Sequence, residues 1–229
     1  MDGAVNSAPP APAAVLRAAY DALAAVVARL DDEASWQPTD CLGWAVRDLV
    51  FHCLADAQRG LVALHTPASG PVTRDAVTYW QDWQPGTVGA AHGRRWARVG
   101  ASMFLEFSQL QELYLETAAA AVVAAEAADA GRRVTTQGQV LTAGDLMTTL
   151  AVEATLHHLD MLAGLPTAPA PSKAGLAAVR DTLDGLLGHP VAADWSDEHY
   201  ARVATGRVPL TESERTVLGA DADRLPLFG

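Results

Sequence analysis

The chain of 229 residues has few of the features that mark several common classes of protein. Its two cysteines, Cys41 and Cys53, are too few for a disulfide framework and do not form a CxxC motif. It has 16 basic against 27 acidic residues, a formal net charge of -11, so binding to nucleic-acid phosphates is not expected. It also lacks an apolar run long enough to span a bilayer, so no membrane association is expected.

The N-terminus has neither the basic region nor the apolar region of a secretory signal peptide. The expectation is therefore a cytoplasmic protein with two reduced thiols. Lysine is nearly absent, since Lys173 is the only one and the other basic residues are arginine. This bias, with abundant alanine, is typical of a GC-rich genome and suggests an actinobacterial source.

Apolar residues at helical spacing fill most of the chain and predict a mainly α fold. Helices are predicted over residues 12–31, 44–65, 94–130 and 142–164, the third being the longest. The inward face of the third is expected to carry Trp96, Val99, Met103, Phe107, Leu110, Tyr114 and Ala118. Thr142 and Asp145 resemble a capping box at the start of the fourth helix, and Gly164 with Pro166 marks its end. Four amphipathic helices with one long connection predict a four-helix bundle.

The remaining segments suggest how the chain is divided. Residues 1–11 are expected to be a disordered leader, and the bundle to cover residues 12–165. Residues 66–93 are rich in glycine and proline and are longer than a simple connection between helices needs to be. They are therefore expected to form a lid or pocket wall. A short extended piece is expected at 133–141, and residues 166–171 form a proline-rich linker. After this linker, residues 172–229 are expected to form a smaller, mostly helical C-terminal extension.

Glu153 and His157 carry the strongest chemical signal. Their spacing of four residues places both side chains on one helix face, one turn apart. Burying either one alone is costly, and a divalent metal is a partner that both can share. If the second and fourth helices are neighbours, His52 can face this pair. Two imidazoles and one carboxylate suit zinc with one open position, and nickel, cobalt or ferrous iron would also accept them.

Simpler interpretations of these residues are open. Glu153 could be a surface carboxylate, and His157 or His158 could be a core imidazole with an ordinary hydrogen-bond partner. Asp160, three residues past His157, could orient a ligand imidazole. Solvation near the helix end is the interpretation that we favour for Asp160 from the sequence.

The cysteines and several tryptophans also have two interpretations each. Cys41 could approach the metal or act as a nucleophile, but a free cysteine usually behaves as a small apolar residue. Cys53 is expected to pack into the apolar stripe of the second helix. Trp80, Trp83 and Trp96 flank the long connection and could line a pocket, although buried tryptophan is more often part of a core.

Two stretches, residues 36–52 (WQPTDCLGWAVRDLVFH) and 153–160 (EATLHHLD), resemble the signature stretches of the DinB-like superfamily. More narrowly, they resemble its mycothiol-dependent maleylpyruvate isomerase branch. Residues 205–207 and 225–229 also resemble C-terminal extensions of that branch. In the family, the first motif's histidine and the second motif's glutamate and histidine bind a divalent metal, usually zinc. The resemblance therefore implies His52, Glu153 and His157 as the metal ligands.

The resemblance further implies a low-molecular-weight thiol, mycothiol, as cosubstrate and a small electrophile as substrate. The main hypothesis is a zinc-dependent isomerase or thiol transferase in which the metal stabilises the thiolate. Isomerase relatives hold substrate carboxylates with arginines, and the weak candidates here are Arg59 and Arg207, with Arg94, Arg95 and Arg98 behind them. The alternatives are a non-catalytic metal-binding regulatory or stress-response module and a metal-free scaffold.

Overall fold

The computed structural model describes residues 10–83 and 87–228. The expected disordered leader, residues 1–11, therefore lies almost wholly outside the described residues. The described residues are mainly helical, which confirms the predicted fold class. No helix among them combines the length and apolar character needed to cross a bilayer.

Up to Leu162, the described residues form six α-helices and one β-hairpin. The helices are α1 (Pro12–Val27), α2 (Asp32–Ser35), α3 (Val46–Leu64), α4 (Val88–Ala101), α5 (Phe107–Ala127) and α6 (Ala143–Leu162). The hairpin pairs β1 (Arg133–Thr136) with β2 (Gln139–Thr142) in antiparallel register, where a short extended piece was predicted. The Thr142 side chain then accepts a hydrogen bond from the Asp145 amide, so the predicted N-cap of α6 is confirmed.

A four-helix bundle is formed by α1, α3, α5 and α6, each of which packs against two of the others. Leu16, Leu23, Leu49 and Leu110 are fully buried in its core. At Gly60 on α3, a Cβ atom would lie 2.5 Å from Cδ1 of Leu150 on α6. This close approach of α3 to α6 brings together the two helices that carry the candidate ligands.

The first predicted helix is shorter than its apolar pattern suggested. It ends at Val27 instead of Asp31, and the separate helix α2 follows after a short connection. The Asp31 side chain accepts a hydrogen bond from the Ala34 amide at 2.8 Å and so caps α2. Aspartate competes with a helix interior because it makes this local bond to the backbone, which explains the break.

The predicted helix over residues 94–130 is wrong, because the chain forms two helices there, α4 and α5. Residues 102–106 separate them, with Glu106 in an extended conformation at the start of α5. Trp96, Val99 and Met103 were expected to point inward but are 50%, 59% and 71% exposed. Leu110, Tyr114 and Ala118, further along the same pattern, are buried as expected.

The described part of the long connection between α3 and α4 is bonded to the hairpin and contains a short 3-10 helix. The chain is fastened to the hairpin at Thr73, whose amide donates to the Val140 carbonyl at 2.8 Å. A 3-10 helix over Thr78–Asp82 follows and buries Trp80. Because α4 begins at Val88, the connection is shorter than the predicted 66–93.

The C-terminal region packs against the side of α6 that faces away from the bundle. It contains α7 (Lys173–Leu187), α8 (Asp197–Ala204), α9 (Glu212–Leu218) and a 3-10 helix (Gly219–Arg224). A second core forms between Leu156 and Leu159 of α6, Leu183 of α7 and Tyr200 of α8. Phe228 completes this core by stacking on Trp80 with ring centroids 4.4 Å apart. The division of the chain between residues 165 and 172 stays a prediction, since α6 belongs to both cores.

Candidate metal centre

The three candidate ligands converge where α3 packs on α6. The nearest donor atoms of His52, Glu153 and His157, two imidazole nitrogens and one carboxylate oxygen, all lie within 4.8 Å of one another. The imidazole rings of His52 and His157 have centroids 4.7 Å apart and are almost perpendicular. The sequence therefore predicted a set of residues that the fold brings together across 101 residues of chain.

Glu153 and His157 contact each other directly. Oε2 of Glu153 lies 3.1 Å from Nε2 of His157. Burial alone would raise the pKa of Glu153, but the hydrogen bond and charge of His157 lower it to about 2, so the carboxylate is ionised at neutral pH. The side chains of His52 and Glu153 keep 23% and 24% exposure, which leaves the group open to an incoming molecule.

The other ring nitrogen of His157 is held by Asp160, which is 0% exposed. The distance from Nδ1 to Oδ2 is 2.9 Å. Burial acts to raise the pKa of Asp160, but Arg207 and His157 outweigh it and hold that pKa well below its usual range. An ionised carboxylate only accepts hydrogen bonds, so Nδ1 of His157 is the donor. The favoured expectation that Asp160 is solvated was wrong, and Asp160 orients the imidazole instead.

Arg207 reaches Asp160 from the C-terminal region. Its Nε donates to Oδ1 at 2.8 Å and its Nη2 donates to Oδ2 at 3.0 Å, a bidentate pair. Its Nη1 donates to the Thr205 carbonyl at 3.2 Å. All three nitrogens of the guanidinium are therefore engaged within the protein. A role for Arg207 in holding substrate stays a prediction. In the structure Arg207 pairs with the buried charge of Asp160.

Cys41 also bonds to Asp160. The turn that carries it is fastened to α6, because the Asp40 amide donates to the Asp160 carbonyl at 3.1 Å. The Cys41 thiol donates to Oδ2 of Asp160 at 3.1 Å and lies 3.8 Å from Nδ1 of His157. Burial and the Asp160 charge raise the pKa of Cys41, so it stays a protonated thiol. Cys53 is buried in the bundle core, as predicted.

His52 is supported by its own helix and by one aromatic side chain. Its Nε2 lies 3.2 Å from Oδ2 of Asp56, which pairs through Oδ1 with Arg59 at 2.8 Å. Burial lowers the pKa of His52, which favours the neutral imidazole that a metal requires. The Trp44 ring lies 5.2 Å from that of His52 and 6.3 Å from that of His157.

Trp44 is the aromatic residue that sequence reasoning missed. Its position in the first motif, between the turn and α3, is a signal that could have identified it. The three tryptophans considered instead have other surroundings: Trp80 is in the second core, Trp83 lies against Tyr79, and Trp96 packs on Phe51. His158 is buried, and its Nε2 donates to the Pro169 carbonyl at 2.8 Å, as expected for a core imidazole.

Comparison with known proteins identifies the family of the chain. The family model of the mycothiol maleylpyruvate isomerase N-terminal domain matches residues 16–162. The chain belongs to this family. Comparison of the sequence with curated proteins gave no significant match.

Two solved structures share the fold of this mycothiol maleylpyruvate isomerase family member. One is a crystal structure of the mycothiol-dependent maleylpyruvate isomerase, with a TM-score of 0.51 and 17% identity. The match covers 75% of this chain and 66% of that one, so the chain spans just under two thirds of its length. The other, a histidine-to-alanine mutant of such an isomerase, has a TM-score of 0.59 and 16% identity, covering 86% and 88% of the two chains. At these identities the likeness shows the fold alone.

Proposed function

We propose that this protein is a zinc-dependent enzyme that uses mycothiol to act on a small electrophilic substrate, as an isomerase or a thiol transferase. The observation that carries the proposal is the meeting of His52, Glu153 and His157 within 4.8 Å at a partly open site. Membership of the mycothiol maleylpyruvate isomerase family supports the choice of thiol. The relatives whose structures match are named as mycothiol-dependent, which supports it further.

The donor set fits a divalent metal. Two imidazoles and one carboxylate are a common three-ligand set for catalytic zinc, and they leave one coordination position for an outside ligand. Glu153 is ionised and burial lowers the pKa of His52, so these two ligands can bind without losing a proton. Burial acts to lower the pKa of His157, but Asp160, Cys41 and Glu153 raise it well above its usual value, so metal binding through Nε2 would release a proton from His157. A divalent ion bound there would hold a thiol as its thiolate near neutral pH.

The surrounding residues have distinct tasks in this proposal. Asp160 keeps the proton of His157 on Nδ1 and so turns Nε2 toward the site. Trp44 covers one side of the two imidazoles and excludes water from it. Arg59 is 36% exposed and stands seven residues past His52 on α3, where it can meet a substrate carboxylate.

The chemistry expected of the bound thiolate is attack on an electrophilic carbon. Addition to a conjugated double bond makes it a single bond, so rotation followed by loss of the thiol gives isomerisation. If the negative charge left by the addition is neutralised by a proton and the adduct is released instead, the thiol has been transferred. Both reactions share the addition step, so one site can serve either of them.

Metal content is the first test. Purified full-length protein should contain about one zinc ion per chain by elemental analysis, with three protein ligands. His52→Ala should lose most of it. The matched control is His65→Ala, because His65 is exposed at the end of the same helix and, within the described residues, its side chain hydrogen-bonds only to the Leu61 carbonyl. Equal metal content in both variants would contradict the assignment of His52.

Thiol chemistry is the second test. The zinc-loaded protein is incubated with mycothiol and either maleylpyruvate or monobromobimane, and the product is followed against His52→Ala. Isomerisation or conjugation that tracks bound metal supports the enzyme. Full metal occupancy without thiol binding would favour the non-catalytic metal-binding module.

A further inference from the structure

The last residues that the structure describes, 225–228, form a C-terminal strap that joins two distant elements of the fold. The Leu227 amide donates to the Ala204 carbonyl at 2.8 Å, at the end of α8. The Phe228 ring is 3% exposed and stacks on Trp80, with ring centroids 4.4 Å apart and ring planes at 29°. The strap therefore links the end of α8 to the 3-10 helix of the long connection.

The turn after α8 directs Arg207 toward Asp160. Gly206 has a φ of +77°, a left-handed conformation that turns the chain directly after the helix. The Arg207 amide then donates to the Arg202 carbonyl at 2.8 Å, and its side chain reaches Asp160. A Cβ atom built on Gly206 would lie 3.4 Å from Cβ of Pro226. The strap thus packs against the turn that carries Arg207.

Trp80 ties the strap to α6, the helix that carries His157. The Trp80 Nε1 donates to the Ala76 carbonyl at 2.9 Å. The Ala76 amide donates to Oδ1 of Asp145 at 3.2 Å, in the first turn of α6. Phe228 therefore connects the turn after α8, through Trp80, to the beginning of α6.

We propose that Phe228 is a positioning residue of the metal centre. By stacking on Trp80, it holds the turn after α8 in place and so keeps Arg207 paired with Asp160. The paired carboxylate in turn holds the proton of His157 on Nδ1. The importance of this link for metal binding rests on the proposed function, whereas the link from Phe228 to the His157 hydrogen bond does not.

The first test observes the Nδ1–H proton of His157 by nuclear magnetic resonance, in full-length protein as purified and after removal of metal. A buried N–H that is bonded to a carboxylate is protected from exchange with water until the structure opens locally. The signal is assigned by its loss in His157→Gln. Phe228→Ala should speed its exchange by about tenfold or more, because the turn that carries Arg207 opens more often without the aromatic stack.

The matched control is Leu183→Ala. Leu183 is fully buried in the same second core as Phe228, but it lies on α7 and not in the strap. Both variants empty a buried apolar position, so both should lose unfolding free energy in urea. Only Phe228→Ala should speed exchange of the His157 proton. Equally fast exchange in both variants would overturn the proposal, because it would reflect a general loosening of the core. Slow exchange in both would overturn it as well.

A milder variant keeps the test decisive if Phe228→Ala does not fold. Phe228→Leu retains an apolar side chain at the position and loses the ring that stacks on Trp80. It should speed exchange of the His157 proton in the same direction, by a smaller factor. Exchange as slow as in the parent would overturn the proposal.

Zinc affinity, measured by competition with a chelator, tests the consequence for the metal centre. It should fall by about tenfold in Phe228→Ala and stay within about twofold of the parent in Leu183→Ala, as expected when a partner that orients a metal ligand is lost. Unchanged zinc affinity in Phe228→Ala would overturn its role at the metal centre. A parent protein that binds no zinc would contradict the proposed function, and the exchange measurement would still decide whether Phe228 positions His157.

Discussion

Replacing Asp160 by asparagine should weaken metal binding and destabilise the protein together. The substitution keeps the shape of the side chain but removes the charge that pairs with Arg207 and orients His157. Loss of a group that orients a metal ligand typically costs about 10–100-fold in affinity. Loss of one member of a buried ion pair costs about 3–5 kcal/mol of unfolding free energy, because the remaining charge stays buried.

Two measurements on Asp160→Asn separate these effects. Zinc affinity is measured by competition with a chelator, and the free energy of unfolding of the metal-free protein by urea titration. The double variant Asp160→Asn/Arg207→Gln leaves no unpaired charge, so it should regain part of the stability while zinc affinity stays low. Unchanged zinc affinity and unchanged stability in the single variant would refute the reasoning.

The difference in unfolding free energy between the wild-type protein and Asp160→Asn should depend on pH. The pKa of Asp160 in the folded protein is depressed despite its burial, because Arg207 and His157 favour the ionised form. A depressed carboxylate pKa gives stability that is present above the unfolded value of about 3.9 and is lost as the pH falls. The stability gap between the wild-type protein and Asp160→Asn should therefore be largest near about pH 5–6 and shrink below about pH 4. It should also shrink as the pH rises above about 6.5, because Asp160 helps to raise the pKa of His157 against its burial and that contribution is lost when His157 loses its proton.

Three further substitutions test the framework that positions the site, each by urea unfolding. Thr142→Ala removes the side chain that accepts from the amide three residues on, and should cost about 1 kcal/mol. Gly164→Ala places a Cβ 2.3 Å from the Pro38 carbonyl oxygen and should cost about 1–3 kcal/mol. Its control, Gly93→Ala within α4, meets no atom within 4 Å and should stabilise the protein by up to about 1 kcal/mol. Leu23→Ala empties a fully buried position and should cost about 2–5 kcal/mol; a smaller loss would mean that the core collapses around it.

The candidate ligands could be predicted from the sequence because their signal is local. Glu153 and His157 are one helical turn apart, and a polar pair on an apolar face stands out in any window of that length. His52 could be added only on the condition that the second and fourth helices are neighbours, a condition that the family resemblance of the two motifs made more secure. The fold places all three together, and their role as metal ligands stays a proposal.

The environment of Asp160 could not be predicted in the same way. A single aspartate near the end of a helix is usually solvated, and nothing within one turn contradicts that interpretation. Its strongest partner, Arg207, lies 47 residues further along the chain and reaches it only because α8 packs on α6. Cys41 approaches through a turn 119 residues earlier. Contacts at such separations leave no periodic pattern in the sequence.

The break between α4 and α5 was missed for a different reason. The apolar residues before and after residues 102–106 continue the same helical period, and the break contains neither proline nor glycine. In the structure the chain leaves the helix through tight turns, with the Met103 and Phe104 amides bonded to carbonyls three residues back. The Phe104 ring then lies near that of Phe51, with ring centroids 6.3 Å apart, and tertiary contacts can override helix propensity.

Helix α6 has sixteen of its twenty residues buried, because the bundle covers one side and the C-terminal helices cover the other. A shortened chain ending near residue 165 would keep all three proposed ligands. It would also leave Leu156 and Leu159 facing water and Asp160 without its counter-ion. We expect such a fragment to self-associate through that exposed side, and we therefore expect the part of this chain that matches the family to need the C-terminal helices for its stability.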